Sequence, residues 1–157
     1  MMDLSKKIDV LRNIAKEFNQ AGITWSLGAS ALLYLKGIAA EFNDIDLMVV
    51  NEDVELVKEI MKALEGELLP PKQNKKYRSR AFLQYVVSGV EVDVMAGFAV
   101  VFEGQIYDCS LHQDQIVEYY ELEGEKIPLQ SVDLWCRYYE LMERDTKVKL
   151  IKNAVII

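Results

Sequence analysis

Three carboxylates stand out by their spacing and their company. Asp44 and Asp46 are two residues apart at the head of Asp44-Ile45-Asp46-Leu47-Met48-Val49-Val50. That run reads as a mostly buried strand, so both acids leave one face while Ile45 and Leu47 enter the other. Asp93 lies in Val90-Glu91-Val92-Asp93-Val94-Met95, a second β-rich run in which a third acid projects among β-branched neighbours. Paired acids on an apolar strand repel each other. A hard divalent cation such as Mg²⁺ relieves that repulsion and leaves positions for substrate phosphates. One pair plus one acid, from two strands, is the donor set of two-metal phosphoryl or nucleotidyl transfer, in which metals roughly 4 Å apart clamp the attacking and leaving oxygens. An isolated Asp-x-Asp is more simply a strand starting at the solvent edge; the third acid is what argues for a site.

Gly28-Ala29-Ser30 adds a second element. Ile23, Trp25 and Leu27 alternate before it, and Ala31-Leu32-Leu33-Tyr34-Leu35-Lys36 is apolar nearly all round after it. A strand feeding a tight small-residue turn into a helix offers backbone N–H groups and a hydroxyl to a phosphate. Close packing at the turn is the plainer account of the same residues.

These groups must be held by the rest of the chain. Leu4, Ile8, Leu11, Ala15 and Phe18 recur at the helical period, which predicts a helix from Leu4 to about Gln20, ending near Gly22. Gly37 stops the helix after Ser30, and Asn51 can cap the next, whose Val54, Val57, Met61 and Leu64 share a face. Beyond Pro70-Pro71 the pattern turns to strands. Ala81 to Val87 and Val90 to Met95 join through Ser88-Gly89, Phe98 to Phe102 and Gln105 to Tyr107 through Glu103-Gly104, and Val117 to Leu122 and Lys126 to Leu129 around Gly124. Ser131 can cap a helix that uses Trp135, Tyr138, Tyr139 and Met142, and Asp145 or Thr146 can begin a last one. The order predicts an α+β fold, a mixed sheet flanked by helices, in one domain over residues 1–157. Its core spans about 4–95, with covering hairpins and C-terminal helices over 96–157.

Composition bounds the partners. The chain has 157 residues, 51% hydrophobic and 27% charged, and a net charge of −7, which describes a globular domain and excludes a low-complexity one. Cys109 and Cys136 form no ligand pattern and fit free thiols in a reducing compartment, so the expected location is cytoplasmic. No apolar run approaches the roughly 18 residues of a membrane span. The acidic balance argues against a basic nucleic-acid surface, yet it conceals an island. From Leu68 to Val90 there is no acid, while Lys72, Lys75, Lys76, Arg78 and Arg80 supply five of the 18 basic residues, leaving 13 against 25 acids elsewhere. That stretch can be a solvated loop, or a loop whose Lys76, Arg78 or Arg80 meets phosphate. His112 has no second His and reads as a surface residue.

Trp25-Ser26-Leu27-Gly28-Ala29-Ser30-Ala31-Leu32, then Asn43-Asp44-Ile45-Asp46-Leu47, then Glu91-Val92-Asp93-Val94, together resemble the nucleotidyltransferase superfamily, the polymerase-beta-like fold. The resemblance implies an enzyme that moves a nucleoside monophosphate from an NTP such as ATP to an acceptor, with two Mg²⁺ ions. By that resemblance Asp44 and Asp46 bind metal and triphosphate, and Asp93 completes the second metal site and helps deprotonate the acceptor. Ser30 contacts a β- or γ-phosphate, and Gly28 lets the backbone approach. Arg78 and Arg80 are the nucleotide-binding candidates of the basic stretch. The acceptor is a small molecule, an RNA end or a protein, and the chain can pair with itself or a partner protein. Ala29, where the family usually has Gly, and the missing Arg or Thr before Asp44 motivate a second reading: a degenerate member that binds nucleotide or a partner without turnover. A third is a nucleotide-sugar transferase using Asp44-Ile45-Asp46 for its metal.

Overall fold

The computed structural model describes residues 3–71 and 77–156. Helix α1, Leu4–Gln20, starts at Asp3, whose side chain accepts from the Ser5 amide, and buries Val10, Leu11, Ile14, Ala15 and Phe18. Leu11, Ala15 and Phe18 belong to the stripe the periodicity marks, Val10 and Ile14 widen it, and Leu4 and Ile8 at its start are half-buried. Strand β1, Trp25–Gly28, is buried throughout and passes directly into α2, Ala29–Leu35. Strand β2, Ile45–Val49, follows, then α3, Val54–Ala63. A short β3, Glu67–Leu68, precedes β4, Ala81–Val87, and β5, Val90–Ala96. The hairpin of β6, Ala99–Phe102, and β7, Gln105–Asp108, precedes β8, Glu118–Leu122, and β9, Glu125–Leu129. Helices α4, Val132–Leu141, and α5, Asp145–Ile156, close the chain.

Among the described residues seven strands form one mixed sheet in the order β3-β4-β5-β2-β1-β9-β8, with β6 and β7 paired separately. The β2–β5 and β1–β9 pairs are parallel, and the other pairs are antiparallel. The α+β expectation holds. All three hairpin turns are where the X-Gly dipeptides place them, with positive φ at Ser88 and Gly89, Glu103 and Gly104, and Glu123 and Gly124. Two consecutive left-handed residues match the twist of the flanking strands.

One local expectation changes. Asn51 does not cap α3: it opens a 3-10 turn, Asn51–Asp53, and its Oδ1 is buried without a partner. Asp53 turns back instead, accepting from the Thr24 amide at 2.8 Å. Strand β3 is too short to carry a period and is defined by pairing with Tyr85 and Val86. His112 is exposed and opens a 3-10 turn, its amide donating to Gln115 Oε1 at 3.0 Å. No helix among the described residues is long and apolar enough to cross a membrane.

Candidate active site

Parallel pairing of β2 with β5 decides where the acids go. Asp46 lies directly opposite Asp93, Gly28 opposite Asp46 on the other side, and Gln84 opposite Asp93. One rung therefore crosses four strands with two acids side by side at its centre. Like charges directly opposite destabilise a sheet, and Asp44, two residues back on the same face, adds a third. One carboxylate oxygen from each of Asp44, Asp46 and Asp93 lies within 4.8 Å of the others, and all three residues are half-buried. Burial pushes the Asp46 carboxyl well above the ordinary Asp range. Asp44 and Asp93 push it the same way, against the opposing pull of Arg144 and Lys147. Three oxygen donors in mutual repulsion fit a hard divalent cation.

The triad lines a cavity of about 660 Å³, within the range of small-molecule sites. Ser30 also lines it, and Ser30 Oγ is buried with no hydrogen-bond partner. A buried hydroxyl without a partner is uncommon because it forgoes its hydration; here it borders the cavity that the three acids line. The approach to Asp44 is anchored from α1. The buried Lys7 ammonium donates to the Phe42 carbonyl at 2.8 Å, and the Phe42 ring packs on Tyr34 with centroids 5.3 Å apart.

Gly28 has a different reason from the one its motif suggests. Its φ of −128° is open to any residue, but a Cβ there would lie 2.2 Å from Trp135 Cζ2. The indole leans on the strand-to-helix turn because Gly28 leaves it room. Trp135 is held in turn by a hydrogen bond from its Nε1 to Gln130 Oε1 at 2.9 Å and by the rings of Tyr138 and Tyr139. The residue that takes the left-handed conformation is Ala29, with φ 54°, which glycine would adopt without steric cost.

The basic stretch divides by strand alternation. The Arg78 amide donates to the Ala99 carbonyl and the Arg80 amide to that of Gly97, and Tyr77 bridges Val100, so 77–80 runs extended beside 97–100. Side chains then alternate. Tyr77 and Ser79 line the cavity, while Arg78 and Arg80 are exposed and absent from its lining, with the Arg80 stem against Gly97. Lys72, Lys75 and Lys76 lie outside the described residues.

The cations that do line the cavity are Arg144 and Lys147, which periodicity marks only as the start of a helix. Burial raises the pKa of the Tyr77 hydroxyl, and Arg144, which lies against that hydroxyl, offsets only part of the rise. That hydroxyl donates to Met142 Sδ at 3.4 Å. Tyr139, on α4, also lines the cavity; burial, then the negative charge of Asp46, holds its hydroxyl protonated far above the usual tyrosine range.

No sequence-family model matches the chain, and no curated protein sequence matches it. Solved structures do. TM1012 of Thermotoga maritima, a candidate nucleotidyltransferase, superposes with a TM-score of 0.76 at 21% identity, over 98% of this chain and 95% of that one. This is the nucleotidyltransferase-superfamily fold. ANT(2")-Ia, solved with adenylyl-2"-tobramycin, matches at 0.66 and 12% identity over 96% and 90%. The lincosamide antibiotic adenylyltransferase LnuA, solved with lincomycin, matches at 0.62 and 15% over 90% and 94%. On this nucleotidyltransferase fold, the three acids that sequence spacing singled out come together at one end of the β2–β5 pair.

Proposed function

We propose that this protein is a Mg²⁺-dependent nucleotidyltransferase that moves a nucleoside monophosphate from an NTP, such as ATP, to a hydroxyl of a small acceptor. The observation that carries this reading is the convergence of Asp44, Asp46 and Asp93 within 4.8 Å of one another, beside the unpartnered Ser30 hydroxyl. Asp44 and Asp46 would hold the metal and triphosphate, and Asp93 the second metal position. Bound there, the ions would neutralise phosphate charge and draw the acceptor oxygen and the leaving oxygen into line.

The chain's own groups account for the rest. The Ser30 hydroxyl donates to a phosphate oxygen and so gains the partner it lacks. Asp93 accepts the proton of the acceptor hydroxyl. The acceptor oxygen bonds to the α-phosphorus, the bond from that phosphorus to the β-bridging oxygen breaks, and pyrophosphate leaves with the electron pair. Phe82 and Met95, paired across β4 and β5 one step above Gln84 and Asp93, line the cavity with an apolar shelf. An acceptor with an apolar face suits that shelf. The cytoplasm, where NTP and Mg²⁺ are abundant, is the location that suits this chemistry.

The test is incubation of the protein with each labelled NTP and Mg²⁺ in a cell extract, comparing wild type with Asp46→Asn. The expected result is label transferred to an extract component, with pyrophosphate released, by wild type alone. Tight NTP binding with neither label transfer nor pyrophosphate release would favour a protein that binds nucleotide without turnover, the reading motivated by Ala29. Preferential binding of a UDP-sugar would point to sugar transfer.

A further inference from the structure

We propose that Arg144 and Lys147 bind the β- and γ-phosphates of the nucleoside triphosphate, the part that departs as pyrophosphate. This rests on the nucleotidyltransferase reading above and assigns it two residues from the end of the chain. Both line the cavity that holds the acid triad, and neither makes an ion pair among the described residues. Arg12, Lys36 and Lys58, by contrast, each reach a carboxylate. Cations beside three acids, unpaired with any, are placed for an anion that comes with its own countercharge.

Backbone hydrogen bonds set the location of Arg144. Helix α4 ends with the Glu143 amide donating to the Glu140 carbonyl and the Arg144 amide to that of Tyr139, with Glu143 at φ 58°. That is a Schellman closure. The Lys147 and Val148 amides then donate to the Arg144 carbonyl, so Arg144 is the residue from which α5 starts. Arg144 and Lys147, three apart, share a face of the first turn. Two cations at a helix N-terminus oppose the helix dipole, and Asp145, the acid of that turn, does not line the cavity. A polyphosphate between them would reverse the sign of that interaction. The triad cannot hold a triphosphate chain through carboxylates alone, since acids and phosphates repel. A cationic wall facing it supplies the second grip, and it stabilises the negative charge that builds on the pyrophosphate as the bond to the α-phosphorus breaks.

The test is equilibrium binding in Mg²⁺ of inorganic tripolyphosphate and pyrophosphate, which carry no base, and of AMP, GMP, CMP and UMP. The proteins compared are wild type, Arg144→Gln, Lys147→Gln and Arg144→Lys. Each Gln variant is expected to weaken tripolyphosphate and pyrophosphate by about 10- to 100-fold, the worth of one charged hydrogen bond. Monophosphate binding should stay as in wild type, and Arg144→Lys should recover part of the loss. Equal weakening of the monophosphates, or none for tripolyphosphate with wild-type binding intact, overturns the assignment. A wild type that binds neither polyphosphate in Mg²⁺ instead overturns the nucleotidyltransferase reading beneath it.

Discussion

Replacing Gly28 with Ala would drive a methyl group into the Trp135 indole. The new Cβ would sit 2.2 Å from Cζ2, 2.5 Å from Cε2 and 2.8 Å from Nε1, against 3.4 Å or more in ordinary contact, so ring or turn must move by about 1.2 Å. The ring has little freedom to do so. Its Nε1 is tied to Gln130, Tyr138 meets it edge-on at 5.2 Å, Tyr139 at 5.7 Å and Phe98 stacks at 6.4 Å. Overpacking of a well-filled core costs about 1–3 kcal/mol, and so pinned a site belongs at the upper end. For a chain of this size that lowers Tm by about 6–12 °C, at roughly 2–4 °C per kcal/mol. Thermal and urea unfolding measure it, and Gly28→Ala combined with Trp135→Phe localises it. Because Phe removes the edge of the ring that the methyl strikes, the two substitutions together should cost at least about 1 kcal/mol less than the sum of their separate effects. A Gly28→Ala protein melting within about 2 °C of wild type, or additive effects in the double variant, would refute the packing role. It would return Gly28 to the part its motif suggests, an open backbone for phosphate.

Ala29→Gly should act in the opposite direction. Relief of a left-handed alanine, worth about 1–2 kcal/mol, less the added chain entropy of glycine at about 0.5–1 kcal/mol, leaves a gain of about 0.5–1 kcal/mol, read as a higher urea midpoint at unchanged slope. The raised Asp46 pKa makes stability depend on pH. The folded protein keeps a proton that the unfolded chain releases near the ordinary Asp value, so this contribution is full below that value and is lost as pH rises through Asp46's own. Tm of the metal-free protein should therefore fall across that window, and Mg²⁺ should raise Tm more at the high-pH end than at the low; a Mg²⁺ effect independent of pH would contradict it. Lys7→Met leaves the buried Phe42 carbonyl without its donor, and a loss of about 2 kcal/mol is expected, with hydrogen exchange rising in the residues before Asp44.

The parts of this molecule legible in the sequence are those set by near neighbours. Leu4–Gln20 follows from its apolar period and Gly22, and the hairpins from Ser88-Gly89, Glu103-Gly104 and the glycine at 124. The spacing of Asp44 and Asp46 gives their shared face for the same reason. What escaped depends on register between distant segments. Arg78 and Arg80 look better placed than Tyr77 and Ser79 until the pairing of 77–80 with 97–100 shows which parity faces the cavity. Arg144 and Lys147 have no signal of their own, because only the return of α4 across the turn at Gly28 brings them to the acids. Gly28 itself reads as a phosphate glycine in one dimension, and its Trp135 contact exists only in three.

Helix α4 acts as a gauge block between the two ends of the cavity. Trp135 sets it against the turn that carries Ser30, Tyr139 faces the acids, and its last hydrogen bonds deliver Arg144. Its ten residues span about 15 Å at 1.5 Å per residue, and that length determines the distance between hydroxyl and guanidinium. A single residue inserted between Trp135 and Tyr139 would swing everything after it by about 100° around the helix axis. Both walls would stay intact but no longer face each other. Substitutions on α4 can therefore be many, but its length is not free to vary.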